Sequence, residues 1–195
     1  MAHPFTDEQR ETIRARLMDS ARIHAISPGV KKTSLDMLTT DAGISKSSFY
    51  KFFDSKEQLF LEISAQWEEQ ILASANSALM QAEGKNDKGR AADMVYAAFK
   101  TIYSLGIIRF LHEDLPEVME ALPQADASSH YLSSAQGLFA MLHTAKIHFT
   151  EPDDVVLASI EILYMSILHI NQIGASFFPA LATLVVGACD RLVAG

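Results

Sequence analysis

Cysteine is all but missing from this sequence. Cys189 stands alone among 195 residues, so no intramolecular disulfide can form and the fold has to rest on a packed core. Such cysteine usage fits a reducing, cytoplasmic setting. Asn-Gly and Asp-Gly pairs are absent, and no segment alternates β-branched and polar residues with a period of two, which argues against a hairpin-built β fold. The opening residues Met1-Ala2-His3-Pro4-Phe5-Thr6-Asp7-Glu8 turn polar at once, so no secretory leader is expected. Catalytic signatures are missing as well. Gly84-Lys85 has neither the upstream glycine nor the following Ser/Thr of a phosphate loop, and no Gly-x-Ser-x-Gly elbow occurs. His143 and His148 are off the i, i+4 spacing that stacks two metal ligands on one helix face, and His112-Glu113 lacks a second histidine. No catalytic residue, cofactor or metal site is expected, and an enzyme is the disfavoured reading.

What is present is helix. Hydrophobic residues make up 49% and charged residues 21%, a globular balance. Thr6 can cap a first helix with Gln9 as its capping-box partner. Ile13, Leu17, Ala21 and Ala25 then mark one face, with Ile23 and Ile26 beside it, and Ser27-Pro28-Gly29 stops the helix. Ser34 caps Leu35–Ala42, with Leu35 and Leu38 inward, and Gly43 ends it. Ser45 caps Lys46–Phe53, and Asp54-Ser55 caps a long helix from Lys56 to about Ala82, with Leu59, Ile63, Trp67 and Ile71 on one face. Further helices are expected over Arg90–Leu111, Pro116–Leu122 (stopped by Pro123), Ala127–Phe149, Asp153–Gln172 and Phe178–Val193. The chain thus reads as all-α with about nine helices.

The net charge is −8, but it is unevenly spread. Residues 1–56 hold nine Lys/Arg against seven Asp/Glu; residues 57–195 hold seven against seventeen. Only the head suits a polyanion. Within it, Thr33–Lys56 places a short helix, a glycine turn and a second short helix in succession, which is a helix-turn-helix layout. Leu35, Leu38, Ala42, Ile44 and Phe49 can pack the two helices together. Ser45, Lys46, Ser47, Ser48, Tyr50 and Lys51 face outward, and small polar or cationic residues there let a helix approach base edges in a major groove. Lys46, Lys51 and Lys56 add charge for phosphates, and Thr33 and Ser34 are further candidates for phosphate contact, Ser34 being first of all a cap.

The run Gly43-Ile44-Ser45-Lys46-Ser47-Ser48-Phe49-Tyr50, followed by Phe52-Phe53 and Ser55-Lys56-Glu57, resembles the signature of the tetracycline-repressor (TetR) family. Leu17-Met18-Asp19-Ser20-Ala21 and Gly29 followed by Thr33-Ser34 extend the likeness over about 55 residues. Two departures stand out: Ala25 replaces an aromatic residue, and Thr39-Thr40-Asp41 replaces alanine or lysine. The resemblance implies an N-terminal three-helix DNA-binding domain (residues 1–55) and a C-terminal helical ligand-binding and dimerisation domain (residues 56–195). It implies a phosphate contact at Tyr50, double-stranded operator DNA as partner, and repression relieved by a small-molecule effector.

The C-terminal part agrees. Ile162–Cys189 is a run of 28 residues without Asp, Glu, Lys or Arg, yet Ser166, His169, Asn171, Gln172 and Pro179 interrupt it, and Gly174-Ala175-Ser176 splits it. Two apolar helices burying a homodimer interface fit better than a membrane span. Leu163, Ile167 and Ile170 on one helix, and Leu181, Leu184 and Val185 on the other, are the interface candidates. The resemblance puts an effector pocket among the preceding helices, where Trp67, Tyr96, Phe99, Tyr103, Phe110, Phe139, Met141 and Met165 could line a site for an apolar or aromatic molecule. Arg109 is expected either to bind an acidic ligand or to pair with Glu113 at i+4.

Overall fold

A computed structural model describes residues 5–122 and 134–195. Among them the chain is helical throughout, with no strand and a single antiparallel bridge, Phe149 to Val193. In order come α1 Asp7–Ile26, a 3-10 turn Val30–Lys32, α2 Leu35–Ala42, α3 Lys46–Phe49, α4 Lys56–Gln81 and α5 Asp87–Leu105. A π turn Phe110–Asp114, α6 Leu115–Ala121, α7 Ser134–Thr144, α8 Asp153–Ile167 and α9 Ile170–Ile173 follow, and a 3-10 turn Gly174–Ser176 leads into α10 Phe177–Leu192. Two compact units result: Met1–Gln66 with Arg109–His130, and Trp67–Ile108 with Tyr131–Gly195. The chain therefore leaves the first unit inside α4, not at residue 55, and returns to it at Arg109.

The first unit is set by its caps. Thr6 accepts the Gln9 N–H while the Gln9 side chain accepts the Thr6 N–H, a closed capping box. Ser34 accepts from Met37 N–H, and Gly43 at φ 71 ends α2 in the left-handed region. Leu17, Ala21, Ala25, Leu38, Phe49, Leu59 and Ile63 form the core, and Leu35 is half-buried. Ile23 and Ile26 are exposed, contrary to expectation. At about 100° per residue both rotate away from the Ala21–Ala25 stripe.

A part-buried ionic clasp holds the turn between α1 and α2. Gly29 has φ 105, and the Arg109 guanidinium packs so closely that a Cβ there would lie 2.5 Å from it. Arg109 donates to Ala25 O at 2.5 Å and pairs with Asp114 at 2.9 Å. Asp114 is buried and accepts the Val30 N–H at 3.3 Å. The expected partner Glu113 stands 3.8 Å away. The helix expected over Arg90–Leu111 stops at Leu105 because Gly106, φ 68, caps it in the left-handed region, and the π turn beyond brings Asp114 to Arg109.

A second tie joins α1 to α2. The buried Ser20 hydroxyl donates to Asp41 at 2.7 Å, and His24 Nε2 meets the same oxygen at 2.9 Å. A carboxylate only accepts, so Nε2 carries the proton and the buried Nδ1 is left without a partner. The carboxylate stands between hydroxyl and imidazole, so the trio staples two helices rather than activating a nucleophile. The Ser20 bond first, then the His24 bond, holds the Asp41 carboxyl below its ordinary 3.8.

In the second unit α10 buries Phe177, Leu181, Val185 and Cys189, four residues apart, against α5 and α8. Burial pushes the Cys189 thiol up to about 11. Thr150 N–H donates to Leu192 O and Ala194 N–H to His148 O, strapping the C-terminal end to the α7–α8 connection. The helix expected over Ala127–Phe149 ends at Thr144, with Lys146 at φ 57; its stretch 127–133, like Pro123 and Met1–Pro4, lies outside the described residues. The helix expected to Gln172 stops at Ile167. The run Ile170–Leu192 has the length and apolarity to cross a membrane. Gly174 at φ 69, ψ −143 interrupts it, and α10 alone has 16 residues, short of the roughly 20 a span needs.

Two stability outcomes follow from these ties. Gly29→Ala forces a non-glycine residue to φ 105 against Arg109, and should lower unfolding free energy by about 2 kcal/mol in denaturant titration. Asp41→Asn should cost about 1 kcal/mol at pH 7. Because the folded Asp41 is the stronger acid, its contribution is complete above pH 3.8 and disappears as pH falls through the folded value. Melting curves of wild type and variant should therefore converge only below pH 3.8.

Candidate nucleic-acid interface

The helix-turn-helix lies at α2–α3 as expected, but its second helix is short. Regular α geometry ends at Phe49, where Lys46–Phe53 was expected. Lys51 N–H bonds to Ser48 O and Phe52 N–H to Phe49 O, so the backbone tightens into i→i+3 bonds. The tightening drives Phe49 and Phe53 into the core, and Phe52 stays half-buried between Phe5 and the Arg10 guanidinium.

The outward residues divide into available and engaged. Tyr50 is 58% exposed, its ring edge-on to Phe49. Lys51 is exposed with its ammonium over the Phe5 ring. Ser45 caps α3 by accepting Ser48 N–H, and its hydroxyl also lies 3.0 Å from those of Ser47 and Ser48. The two serines expected beside base edges are thus tied to the cap. Ser34 is exposed and likewise acts as a cap.

Two expected DNA contacts are corrected. Thr33 is 2% exposed, and its hydroxyl donates to Gly29 O at 2.7 Å. Lys56 turns inward and donates to Val30 O and Thr33 O, both at 3.1 Å, closing the carbonyls of the 3-10 turn. Both residues shape the turn from inside. Lys46 remains outside but is paired: Asp36 of α2 stands 2.7 Å from its ammonium, and both side chains are more than half exposed. Reading the head by its charge alone gave no role to Asp36.

The second unit rearranges the other assignments. Trp67 and Phe99 are buried, Tyr96 and Tyr103 stand edge-on to Phe178, Phe139 stacks on Phe149 at 5.8 Å, and Met141 is half-buried. Met165 is 60% exposed and lines no interior space. Phe110 belongs to the other unit, against Phe60. An apolar cavity of about 30 Å³ does exist here, but Val95, Leu142, Phe149, Ile160 and Leu163 are among its walls, and none of the expected pocket residues is. On the C-terminal helices Ile167, Ile170, Leu181 and Val185 face their own core and are corrected to core residues. Leu163 is half-buried and Leu184 58% exposed; Ile162, Met165, Ile173 and Val186, not foreseen, are exposed as well.

Mutation separates the two groups of cations. Lys51→Ala should lower the salt slope of DNA binding by about one, whereas Lys56→Met should lower the melting temperature and leave that slope unchanged. Tyr50→Phe should weaken DNA binding without altering the melt. Fluorescence anisotropy at several salt concentrations, alongside thermal melts, reads all three.

Residues 17–63 match the family model described as bacterial regulatory proteins, tetR family. No curated protein matches the chain. Solved structures match along nearly its whole length. A putative TetR-family transcriptional regulator from Mesorhizobium loti is 17% identical, with a TM-score of 0.61 over 95% of this chain and 96% of its own. The TetR-family regulator PfmR from Thermus thermophilus is 17% identical, with a TM-score of 0.60 over 90% and 98%. RolR, solved with resorcinol, is 16% identical, with a TM-score of 0.55 over 95% of each chain. Residues 17–63 are therefore similar to the tetR-family segment that the model describes, and the chain shares the all-α fold of solved TetR-family transcriptional regulators.

Proposed function

We propose that this chain is a homodimeric transcriptional repressor that binds a palindromic operator in the cytoplasm and is released by a small apolar or aromatic effector. The observation that carries the DNA-binding part is the α2–α3 surface, where Lys46, Tyr50 and Lys51 are exposed beside a glycine turn. One short recognition helix makes few contacts, so a second copy reading the next major groove, roughly 34–36 Å away, is a mechanical requirement. The exposed apolar side chains Ile162, Met165 and Leu184 supply a surface for that copy.

The effector part rests on the aromatic second unit and on the resorcinol complex of RolR. Tyr103, 50% exposed beside Phe178, remains the proposed contact, and the effector acts by binding one conformation better than another. A second reading, regulation without a small molecule, is favoured by the cavity of about 30 Å³, far below the several hundred of ordinary ligand sites.

Selection from random DNA tests the first part: it should enrich a palindrome with half-site centres about 10 base pairs apart. Sedimentation should give about twice 21.5 kDa, and a clean monomer would sink the dimer. With the operator known, a library of aromatic compounds is titrated into the complex. An effector should weaken operator binding by about 5–150-fold and be weakened by operator in equal measure. A library that leaves operator affinity unchanged would favour the second reading.

A further inference from the structure

We propose that Asp36 and Lys46 act as one unit that reads a G·C base pair in each operator half-site, with Lys46 donating to guanine and Asp36 accepting from cytosine. The inference rests on the operator-binding reading above and adds a specificity determinant to it.

The starting point is a carboxylate where a DNA-facing surface should repel one. Asp36 lies on the first turn of α2, not on the recognition helix, and its carboxylate sits 2.7 Å from Lys46 Nζ at the start of α3. Both side chains are solvent-exposed, so the pair adds little to stability. Over phosphates Asp36 would only weaken binding. Over a base edge it offers an acceptor, which no other outward residue of this surface offers without also being a donor or a cap: Lys46 and Lys51 only donate, and the Ser47 and Ser48 hydroxyls lie against the Ser45 cap.

The geometry selects the base pair. In the major groove a G·C pair shows the acceptors N7 and O6 and then the cytosine N4 donor. O6 and N4 are joined by a Watson–Crick hydrogen bond and so lie about 2.9 Å apart. The ammonium and carboxylate of the protein pair, 2.7 Å apart, match that separation with the complementary order of donor and acceptor. The ammonium can bridge O6 and N7 of one guanine while the carboxylate takes the N4 proton. An A·T pair also places a donor beside an acceptor. There the ammonium finds only one acceptor next to N6, and the thymine methyl stands on its far side. The mutual contact in the free protein also orients the lysine before DNA arrives, reducing the rotamer freedom lost on binding.

The test repeats the random-DNA selection with wild type, Asp36→Ala, Asp36→Asn and Lys46→Ala, each checked by thermal melting. Wild type should enrich G·C at one position per half-site, at least about tenfold over the other pairs. Asp36→Ala and Lys46→Ala should lose the preference at that position and no other, with the salt slope unchanged. Asp36→Asn, nearly isosteric, should move it toward adenine, which asparagine's amide can bond through N6 and N7. A uniform rise in affinity of Asp36→Ala for all sequences, with the motif unchanged, would show that Asp36 merely damps the charge of Lys46 and would overturn the proposal. So would loss of preference at an A·T position. Wild type enriching no motif would overturn operator binding itself, and with it this reading.

Discussion

A carboxylate removed from water must be neutralised, and much of the head depends on how Asp114 meets that condition. Its partners are the Arg109 guanidinium at 2.9 Å and the Val30 N–H at 3.3 Å. Arg109 in turn holds Ala25 O and covers the bare Cα of Gly29. Removing Arg109 would leave the buried Asp114 without its charge partner, which is far costlier than losing a surface pair. The α1–α2 turn is fixed by this arrangement from above and by Lys56 from below, through Val30 O and Thr33 O. With the turn fixed and Asp41 stapling α2 to α1, the Gly43 turn determines where α3 points. Arg109 and Asp114 each lie 84 residues along the chain from the groups they hold. A fragment ending at residue 55 lacks both them and Lys56, so the helix-turn-helix is local in sequence but not in its support.

The same ties change the electrostatic reading of the head. Residues 1–56 carry nine Lys/Arg, yet several are engaged within the protein. Arg14 pairs with Glu62, Arg22 with Asp19 and Gln66, Lys31 with Glu117, and Lys56 with backbone carbonyls. The Glu117 hydrogen bond and charge raise the Lys31 ammonium above its ordinary value, so it stays charged, but beside an acid. Counterion release scales with the cations that reach phosphates. In the proposed operator complex the exposed Lys51, Lys32 and Arg16 would therefore carry more of that term than a count of positive residues implies.

Local chemistry was legible in the sequence because it is local. Thr6 with Gln9, Ser34, Gly43 and Ser45 each fix a helix end with groups three or four residues away, and every one stands where expected. Gly106 carries the same kind of signal inside an apolar stretch, and it ends at Leu105 the helix expected over Arg90–Leu111. Glu113, the expected partner of Arg109, does stand within ion-pair distance at 3.8 Å, but the closer partner, Asp114 at 2.9 Å, was not legible. Choosing Asp114 over Glu113 required knowing that a π turn follows Gly106. Lys56 and Thr33 look like phosphate contacts in one dimension. Only the folded turn shows two carbonyls and a buried hydroxyl waiting for them. Large aromatic residues were equally ambiguous, since Trp67 and Phe99 fill space and the small cavity opens beside Ala91 and Ala188 instead.

Of the interface candidates in the uncharged run Ile162–Cys189, Ile167, Ile170, Leu181 and Val185 are buried in the protomer, whereas Leu184 is exposed. The four buried residues form part of the protomer's own core. A helix packed on one side ordinarily restores charge to the other. α10 does not: with Leu181 and Val185 inward, Leu184 and Val186 remain outward and apolar, and no Asp, Glu, Lys or Arg appears until Asp190. On α8, Ile162 and Met165 share that condition three residues apart. The protomer's own core accounts for the inward apolar face, and the proposed dimer would account for the outward one. The pattern that supports the proposed dimer is thus not hydrophobicity as such but its persistence on the face the protomer leaves uncovered.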